Sequence, residues 1–219
     1  MSRRRLRKRR TLDRPITLGL TGSMAMGKST AAALLRRLGL RVFDADAAVH
    51  KLLGPKGAAL GPLAARFPGL VGAAGVDRKK MGALVFADPK ALQALEGILH
   101  PLVHDARGAF IRSAALQRVP VVALDVPLLF EGKYHQDYDL VAVVTAPGFL
   151  QTQRALRRPG MTVGKLKGVL ARQMSDVQKR ARADAIIPTG LGKRETLRHL
   201  KQVLKVARRE KSEAEESKA

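Results

Sequence analysis

The stretch from Leu18 to Thr30, LGLTGSMAMGKST, restricts the fold more than any other part of this sequence. Its centre, GSMAMGKS from Gly22 to Ser29, sets two glycines five apart and follows them with a lysine and a hydroxyl. The run ITLGLTG before it (Ile16 to Gly22) reads as a short buried strand. The run KSTAAALLRRLG after it (Lys28 to Gly39) is helical in its Ala and Leu content, and Gly39 is placed to end it. Strand, glycine loop and helix in that order are the setting in which G-x-x-x-x-G-K-[ST] cradles phosphate. Glycines let the backbone turn so that successive N–H groups point at phosphate oxygens, and the helix N-terminus adds positive potential. Lys28 is then expected to reach the β and γ phosphates of ATP, and the Ser29 hydroxyl to ligate Mg²⁺. The expected ATP-binding residues are Gly22, Ser23, Met24, Ala25, Met26, Gly27, Lys28, Ser29 and Thr30. A glycine turn opening an unrelated helix is the competing reading, and both flanks weigh against it. The motif implies a nucleoside triphosphate and leaves the acceptor open.

Further strand-like runs follow: RVFDAD (Arg41 to Asp46), VPVVALDVPLLFE (Val119 to Glu131), DLVAVVTA (Asp139 to Ala146) and ADAIIPTG (Ala183 to Gly190). Helical stretches separate them, so the expected class is α/β with a five-stranded parallel sheet. One interval breaks the rhythm: more than 70 residues lie between Asp46 and Val119, far more than one crossover needs. It is rich in Ala, Leu and Lys, and Ala87 to Gln117 reads as one long helix or two, disturbed near Pro101. Residues 47–118 are therefore expected to form a helical subdomain inserted between the second and third strands. Residues 151–182 hold nine basic residues against one acidic, Asp176, which suits a mobile cover over phosphates. The remaining core is expected at 15–46, 119–150 and 183–208, with a basic arm at 1–14 and a frayed, charged tail at 209–219.

Charge leaves two function classes standing. The net charge is +23, and seven of the first ten residues, MSRRRLRKRR, are basic. One reading is a nucleic-acid-binding ATPase held by counterion release. The other is an enzyme for multiply charged anionic substrates, with an arm whose role is accessory. The charge is spread over arm, cover and tail, no recognised reader motif is present, and aromatic residues for base stacking are few, which favours the enzyme. No dedicated nucleic-acid partner is expected, although the arm could contact RNA or an anionic surface. The arm is not followed by an apolar segment of signal-peptide kind. No run approaches the ~20 apolar residues of a membrane span, so a soluble, cytoplasmic protein is expected. The chain has no cysteine, which removes disulfides and thiolate metal sites. Oligomeric state is not readable.

Asp44 and Asp46 are the first acidic candidates. In a strand they would face one side, near the end of the first strand, where such sheets bind ligands. A carboxylate there can take the proton of an attacking hydroxyl, and the alternative is that one aspartate caps a helix starting at Ala47. Asp125 ends an apolar run, as expected of an acid near Mg²⁺, and Pro127 turns the chain out of the ladder toward a substrate. His100 and His104 are four apart like a zinc pair, yet no third ligand is visible, and packing or a substrate contact by His100 is favoured. Arg154, Arg157 and Arg158 are spaced so that two could face one way on a helix and stabilise a transferring phosphoryl group, with a solvated face as the alternative.

These segments in this order resemble the dephospho-CoA kinase family. The resemblance covers about Ile16 to Gly190 and rests on GLTGSMAMGKST, VFDADAAVHKLL, ILHPLVHDA, LDVPLLFEG, QTQRALRR and RQMSDVQKRARADAIIP, in which Gln173, Lys179 and Asp184 keep the family's spacing. It implies a P-loop kinase fold with an inserted helical subdomain for the coenzyme A precursor and an arginine-bearing lid. The implied reaction moves the γ-phosphoryl of ATP to the ribose 3′-hydroxyl of dephospho-CoA, the last step of coenzyme A biosynthesis. By match, Lys28, Asp46 and Arg158 are catalytic, with Asp46 the base. Arg154 joins the ATP site, Ser29 and Asp125 serve the metal, and His100, Pro127, Leu128 and Leu129 lie near the acceptor. Ser23, Ala25 and Met26 depart from the Gly, Gly and Ser frequent in the family, and Thr189 stands where Asn is common, which puts an adenine contact there in question. Another nucleotide or nucleoside kinase of the same fold is the nearest alternative.

Overall fold

The computed structural model describes residues 14–132 and 134–216. The expectation of a basic arm falls almost wholly on residues 1–13, outside the described residues. The chain divides into two compact units, Asp44–Phe110 and the described residues on either side of it.

The larger unit is built around β1 (Ile16–Thr21), all six of whose residues are buried. A strand covered on both faces has no reason to alternate, which is why its sequence is a nearly continuous apolar run. Beside it lie β2 (Val42–Asp44), β5 (Val121–Asp125), β6 (Leu140–Thr145) and β7 (Ala185–Pro188), in the sheet order β2-β5-β1-β6-β7. β1 pairs in parallel with β5, Leu20 opposite Asp125, and with β6, Thr21 opposite Val143; β6 pairs in parallel with β7. The chain passes from β1 to β2 on the β5 side and then from β5 to β6 on the other side of β1, so the C-terminal end of β1 is the switch point at which open sheets take ligands.

Helix α1 (Lys28–Arg37) and the long α9 (Lys193–Glu216) cover one face. Leu18, Leu20, Leu34, Leu35, Ile187, Leu200 and Leu204 form the principal core between them. The segment after β6 folds into α6 (Gly148–Leu156), α7 (Val163–Ala171) and α8 (Asp176–Arg182).

At the start of β1, Asp139 accepts both guanidinium nitrogens of Arg14 at 2.7 Å and the N–H and hydroxyl of Thr17 at 2.8 Å. Burial pushes the Asp139 carboxyl up, but Arg14 and Thr17 outweigh it and hold it below the ordinary carboxylate value.

The second unit contains α2 (Ala45–Leu53), α3 (Leu60–Arg66), α4 (Arg78–Ala87) and most of α5 (Pro89–Leu116). Its own core joins Leu53, Leu63, Phe67, Leu70, Ala91, Leu95 and Leu99. It is not wholly helical as expected. Strands β3 (Val71–Gly72) and β4 (Gly75–Val76) make a small antiparallel hairpin, with Val71 opposite Val76 and Gly75 at φ +100.

Of the two readings of Ala87 to Gln117, one long helix is the one observed: α5 runs unbroken through Pro101, which gives up one backbone bond while Ala91, Leu95 and Leu99 keep the helix seated. Two other expectations need correction. The last turns of α5 belong to the sheet unit: Arg41 donates to Gln117 and Ser113 at 3.1 and 3.3 Å. The charged tail is not frayed from residue 209, because α9 continues to Glu216 with Ala207 buried and Arg209 donating to Glu213 at 2.6 Å. No helix among the described residues is long and apolar enough to cross a membrane.

Candidate active site

The loop from Gly22 to Gly27 leaves the end of β1 with almost no space behind it. A Cβ on Gly22 would lie 2.4 Å from a methyl of Val144 and 2.7 Å from the Val144 carbonyl. Gly27 has φ +88, and a Cβ there would meet the Thr189 hydroxyl at 2.8 Å. Both glycines are required, the first by contact and the second by contact and backbone angle. Ala25 also adopts a left-handed φ, +61, where most side chains are disfavoured by about 1 kcal/mol.

Gly27 is also the residue before α1, and no side chain caps that helix or places an acid in its first turn. The N–H groups of the first turn are therefore aimed outward with no side-chain acceptor of their own, the arrangement that receives an anion.

Four hydrogen bonds from neighbouring elements hold the loop, and a fifth closes it on itself. The Met24 N–H donates to the Gln173 side-chain oxygen at 3.0 Å, and Gln151 donates its amide to the Met24 carbonyl at 2.8 Å. The Met26 N–H closes a turn onto the Ser23 carbonyl at 3.2 Å. The Ala146 N–H donates to the Met26 sulfur at 3.2 Å. The Thr189 hydroxyl donates to the Met26 carbonyl at 2.6 Å, and Arg154 in turn donates to the Thr189 hydroxyl and carbonyl at 3.2 and 2.8 Å. Ala25 packs with Ala155 and Leu166, joined by Met24, Met161 and Leu170. Each support comes from α6, α7, the links beside them or the end of β7. The segment read as a mobile cover is thus fastened to the loop in this structure.

The spacing in the sequence points to Gln173 but not to Gln151. Gln151 is one of two glutamines on α6 and Gln173 follows the end of α7, and neither carries a local signal of its partner. Thr189 is buried, and its hydroxyl is committed to Met26, so its observed role is to hold the loop. The Met174 N–H donates to Glu131 at 2.8 Å. The wholly buried Lys179 forms an ion pair with the same Glu131 oxygen at 2.8 Å, at an angle off that of a hydrogen bond. Asp184 accepts the Val141 N–H at 2.8 Å. Lys179 and Asp184 therefore anchor α8 and β7.

Lys28 and Asp125 meet in a close ion pair, with both side chains largely buried. The register explains it: Asp125 ends β5 opposite Leu20, two residues before Gly22, so the start of α1 lies within reach. The Thr21 hydroxyl donates to the Pro127 carbonyl at 3.0 Å and fixes the chain after β5. Leu128 is exposed there. Leu129 is wholly buried, one of its methyls 2.8 Å from where a Cβ on Gly19 would lie. Its side chain is core, which corrects its placing among substrate contacts.

The reading of Asp44 and Asp46 as strand neighbours is also corrected. β2 ends at Asp44, whose side chain caps α2 by accepting the Ala47 N–H at 2.9 Å. Asp46 is exposed in the first turn of that helix, so strand alternation does not relate the two. His100 is exposed on α5. Arg154 lies on α6, but the helix ends at Leu156, so Arg157 and the exposed Arg158 follow in the turn beyond it. The structure thus brings Lys28, Asp125, Arg154 and the loop together in the sheet unit, while Asp46 and His100 belong to the other.

Among the described residues no cluster of three or more metal-ligating side chains is present. The oxygen donors at the loop, the Ser29 hydroxyl and the Asp125 carboxylate, instead suit Mg²⁺ that takes its other ligands from phosphate and water.

The geometry agrees with what known proteins show. The family model described as CoaE, dephospho-CoA kinase, matches residues 16–192. The chain is 55% identical over 193 residues to a dephospho-CoA kinase of Rhodospirillum rubrum, covering 87% of this chain and 91% of that one. It is 48% identical over 197 residues to one from Novosphingobium aromaticivorans, covering 90% and 97%. Among solved structures it is similar to a Thermus thermophilus protein, with a TM-score of 0.74, 34% identity and coverage of 87% and 96%. The dephospho-CoA kinase of Campylobacter jejuni, with a TM-score of 0.61 and 23% identity over 87% and 96%, shares the fold. A braced phosphate loop on a five-stranded sheet and a family match running from β1 to the start of α9 lead to one conclusion: this chain belongs to the dephospho-CoA kinase family.

Proposed function

We propose that this chain transfers the γ-phosphoryl group of ATP to the ribose 3′-hydroxyl of dephospho-CoA, giving coenzyme A and ADP. The observation that carries the reading is the phosphate loop, held from behind by Gln151, Gln173 and Thr189 and faced by the Lys28–Asp125 pair. Backbone N–H groups aimed before the ligand arrives need no reorganisation as charge shifts to the transferring group, and this is the main source of catalysis in phosphoryl transfer. Lys28 exchanges Asp125 for phosphate oxygens, which frees the carboxylate. Ser29 and Asp125 would hold Mg²⁺, which supplies neutralisation of phosphate charge when bound.

The attacking oxygen forms its bond to the γ-phosphorus as the bond to the β-phosphate oxygen breaks, and ADP carries the electron pair away. Asp46 accepts the hydroxyl proton. Arg158 stabilises charge on the equatorial oxygens, and Arg154 serves the ATP site through Thr189 and the loop. His100, Pro127 and Leu128 contact the acceptor.

The test is ADP formation with dephospho-CoA compared with nucleoside monophosphates, each with and without Mg²⁺. Turnover confined to dephospho-CoA and dependent on Mg²⁺ is expected. Preference for a nucleoside monophosphate would move the chain to another kinase of the same fold.

A further inference from the structure

Five exposed basic residues of α9 fall on one line. Arg194, Arg198, Lys201, Lys205 and Arg208 are spaced by four, three, four and three residues, and all five are exposed. At 3.6 residues per turn this spacing keeps them within a quarter of the helix circumference, over a length of about 21 Å. The opposite face, Thr196, Leu200, Leu204 and Ala207, is buried in the sheet unit.

No acidic residue occurs between Thr196 and Arg209. A helix face that serves only solubility interleaves acids three or four positions from its bases, because like charges at those spacings repel. That device appears only at the two ends, where Glu195 pairs with Arg198 and Glu213 with Arg209. Among the described residues, Lys201, Lys205 and Arg208 make no side-chain ion pair.

We propose that the exposed basic face of α9 docks on the sugar–phosphate backbone of duplex nucleic acid. A duplex carries one negative charge per ~1.7 Å, which gives about a dozen phosphates along the length of the stripe. α9 holds no Phe, Tyr or Trp, so it offers no platform for the unstacked bases of a single strand. Its apolar face is buried, so it cannot insert that face into a bilayer as interfacial helices do. The side chains of the stripe are all Lys or Arg, and its contacts are with phosphates. Binding is therefore independent of sequence and strongly dependent on salt. This inference does not rest on the kinase reaction.

The experiment is fluorescence anisotropy of the full chain with labelled mixed-sequence duplex DNA of about 24 base pairs, from about 50 to 200 mM KCl. The comparison is the full chain carrying Lys201→Ala, Lys205→Ala and Arg208→Ala together. The triple variant is expected to lose at least about tenfold in affinity at low salt and to flatten the log–log salt slope by about 2 to 3, near 0.9 for each lost contact. Its turnover with dephospho-CoA, or its thermal unfolding if turnover is absent in the parent, is expected to be unchanged, which separates lost docking from lost folding. Unchanged affinity and slope in the triple variant would overturn the proposal. So would binding to phosphatidylglycerol vesicles without binding to the duplex, or binding to neither.

Discussion

The phosphate loop and the Asp44–Phe110 unit present their candidate residues in opposite ways. In the loop, Ser23, Ala25 and Met26 are buried, and the supports behind them, Gln151 and Thr189, are buried as well. In the inserted unit, Asp46 and His100 are exposed on helices whose buried faces point elsewhere, into the core of Leu53, Leu63, Leu95 and Leu99. The two tasks differ physically. A cradle of backbone N–H groups works only if its geometry is fixed in advance, and side chains that never touch the ligand can fix it. An acid that takes a proton must itself meet the acceptor, which the exposure of Asp46 permits. On the proposed roles, nucleotide binding rests on a packed region and acceptor chemistry on single exposed groups.

Substitutions divide accordingly. Lys28→Ala removes the lysine that follows the loop and pairs with Asp125. A loss of about 10³-fold in kcat/KM, roughly 4 kcal/mol, is expected from steady-state kinetics, together with a buried Asp125 that has lost its Lys28 partner. Gly27→Ala forces a side chain into φ +88 against the Thr189 hydroxyl. Calorimetry is expected to show ATP affinity lowered by at least tenfold, about 1.4 kcal/mol or more. If instead ATP binds normally, the loop is softer than its contacts indicate.

Asp139→Asn tests whether packing far from the loop is separable from it, since Asp139 and Arg14 lie at the other end of β1. A stability loss of about 2 kcal/mol in denaturant unfolding is expected, with ATP affinity unchanged. Because the carboxyl is held below its ordinary value of 3.8 in the folded state, its contribution is complete above that pH. It is lost as pH falls through the lowered value, so the gap between parent and variant closes in acid. Gln173→Ala is the mildest change. Losing one acceptor for the Met24 N–H is expected to weaken ATP binding about fivefold, roughly 1 kcal/mol, and to leave KM for dephospho-CoA unaltered.

The same contrast governs how much of the structure was readable in the sequence. The runs that hold β1, β5, β6 and β7 stand out in the sequence, that of β5 extending six residues beyond the strand, because strands covered on both faces are written as apolar runs. The loop was found because its glycines answer to sterics that nothing else satisfies. β2 misled, since three residues are too few to display alternation and Asp44 serves equally as a strand end or a helix cap. The hairpin at Val71 to Val76 is hidden among glycines and alanines. α9 was cut short because its charges resemble those of a loose tail, while Ala207 and the Arg209–Glu213 pair sustain the helix. The glutamines behind the loop follow no local pattern, and their partners lie more than 120 residues away in sequence.

The most direct measurement is made on Asp46→Asn, with ATP affinity by calorimetry and turnover with dephospho-CoA recorded on the same protein. If the packed region alone binds the nucleotide and Asp46 alone takes the proton, ATP affinity stays within about twofold while kcat falls by about 10² or more. Near-normal turnover would remove Asp46 as the base. A collapse of ATP binding would contradict the separation of the two tasks.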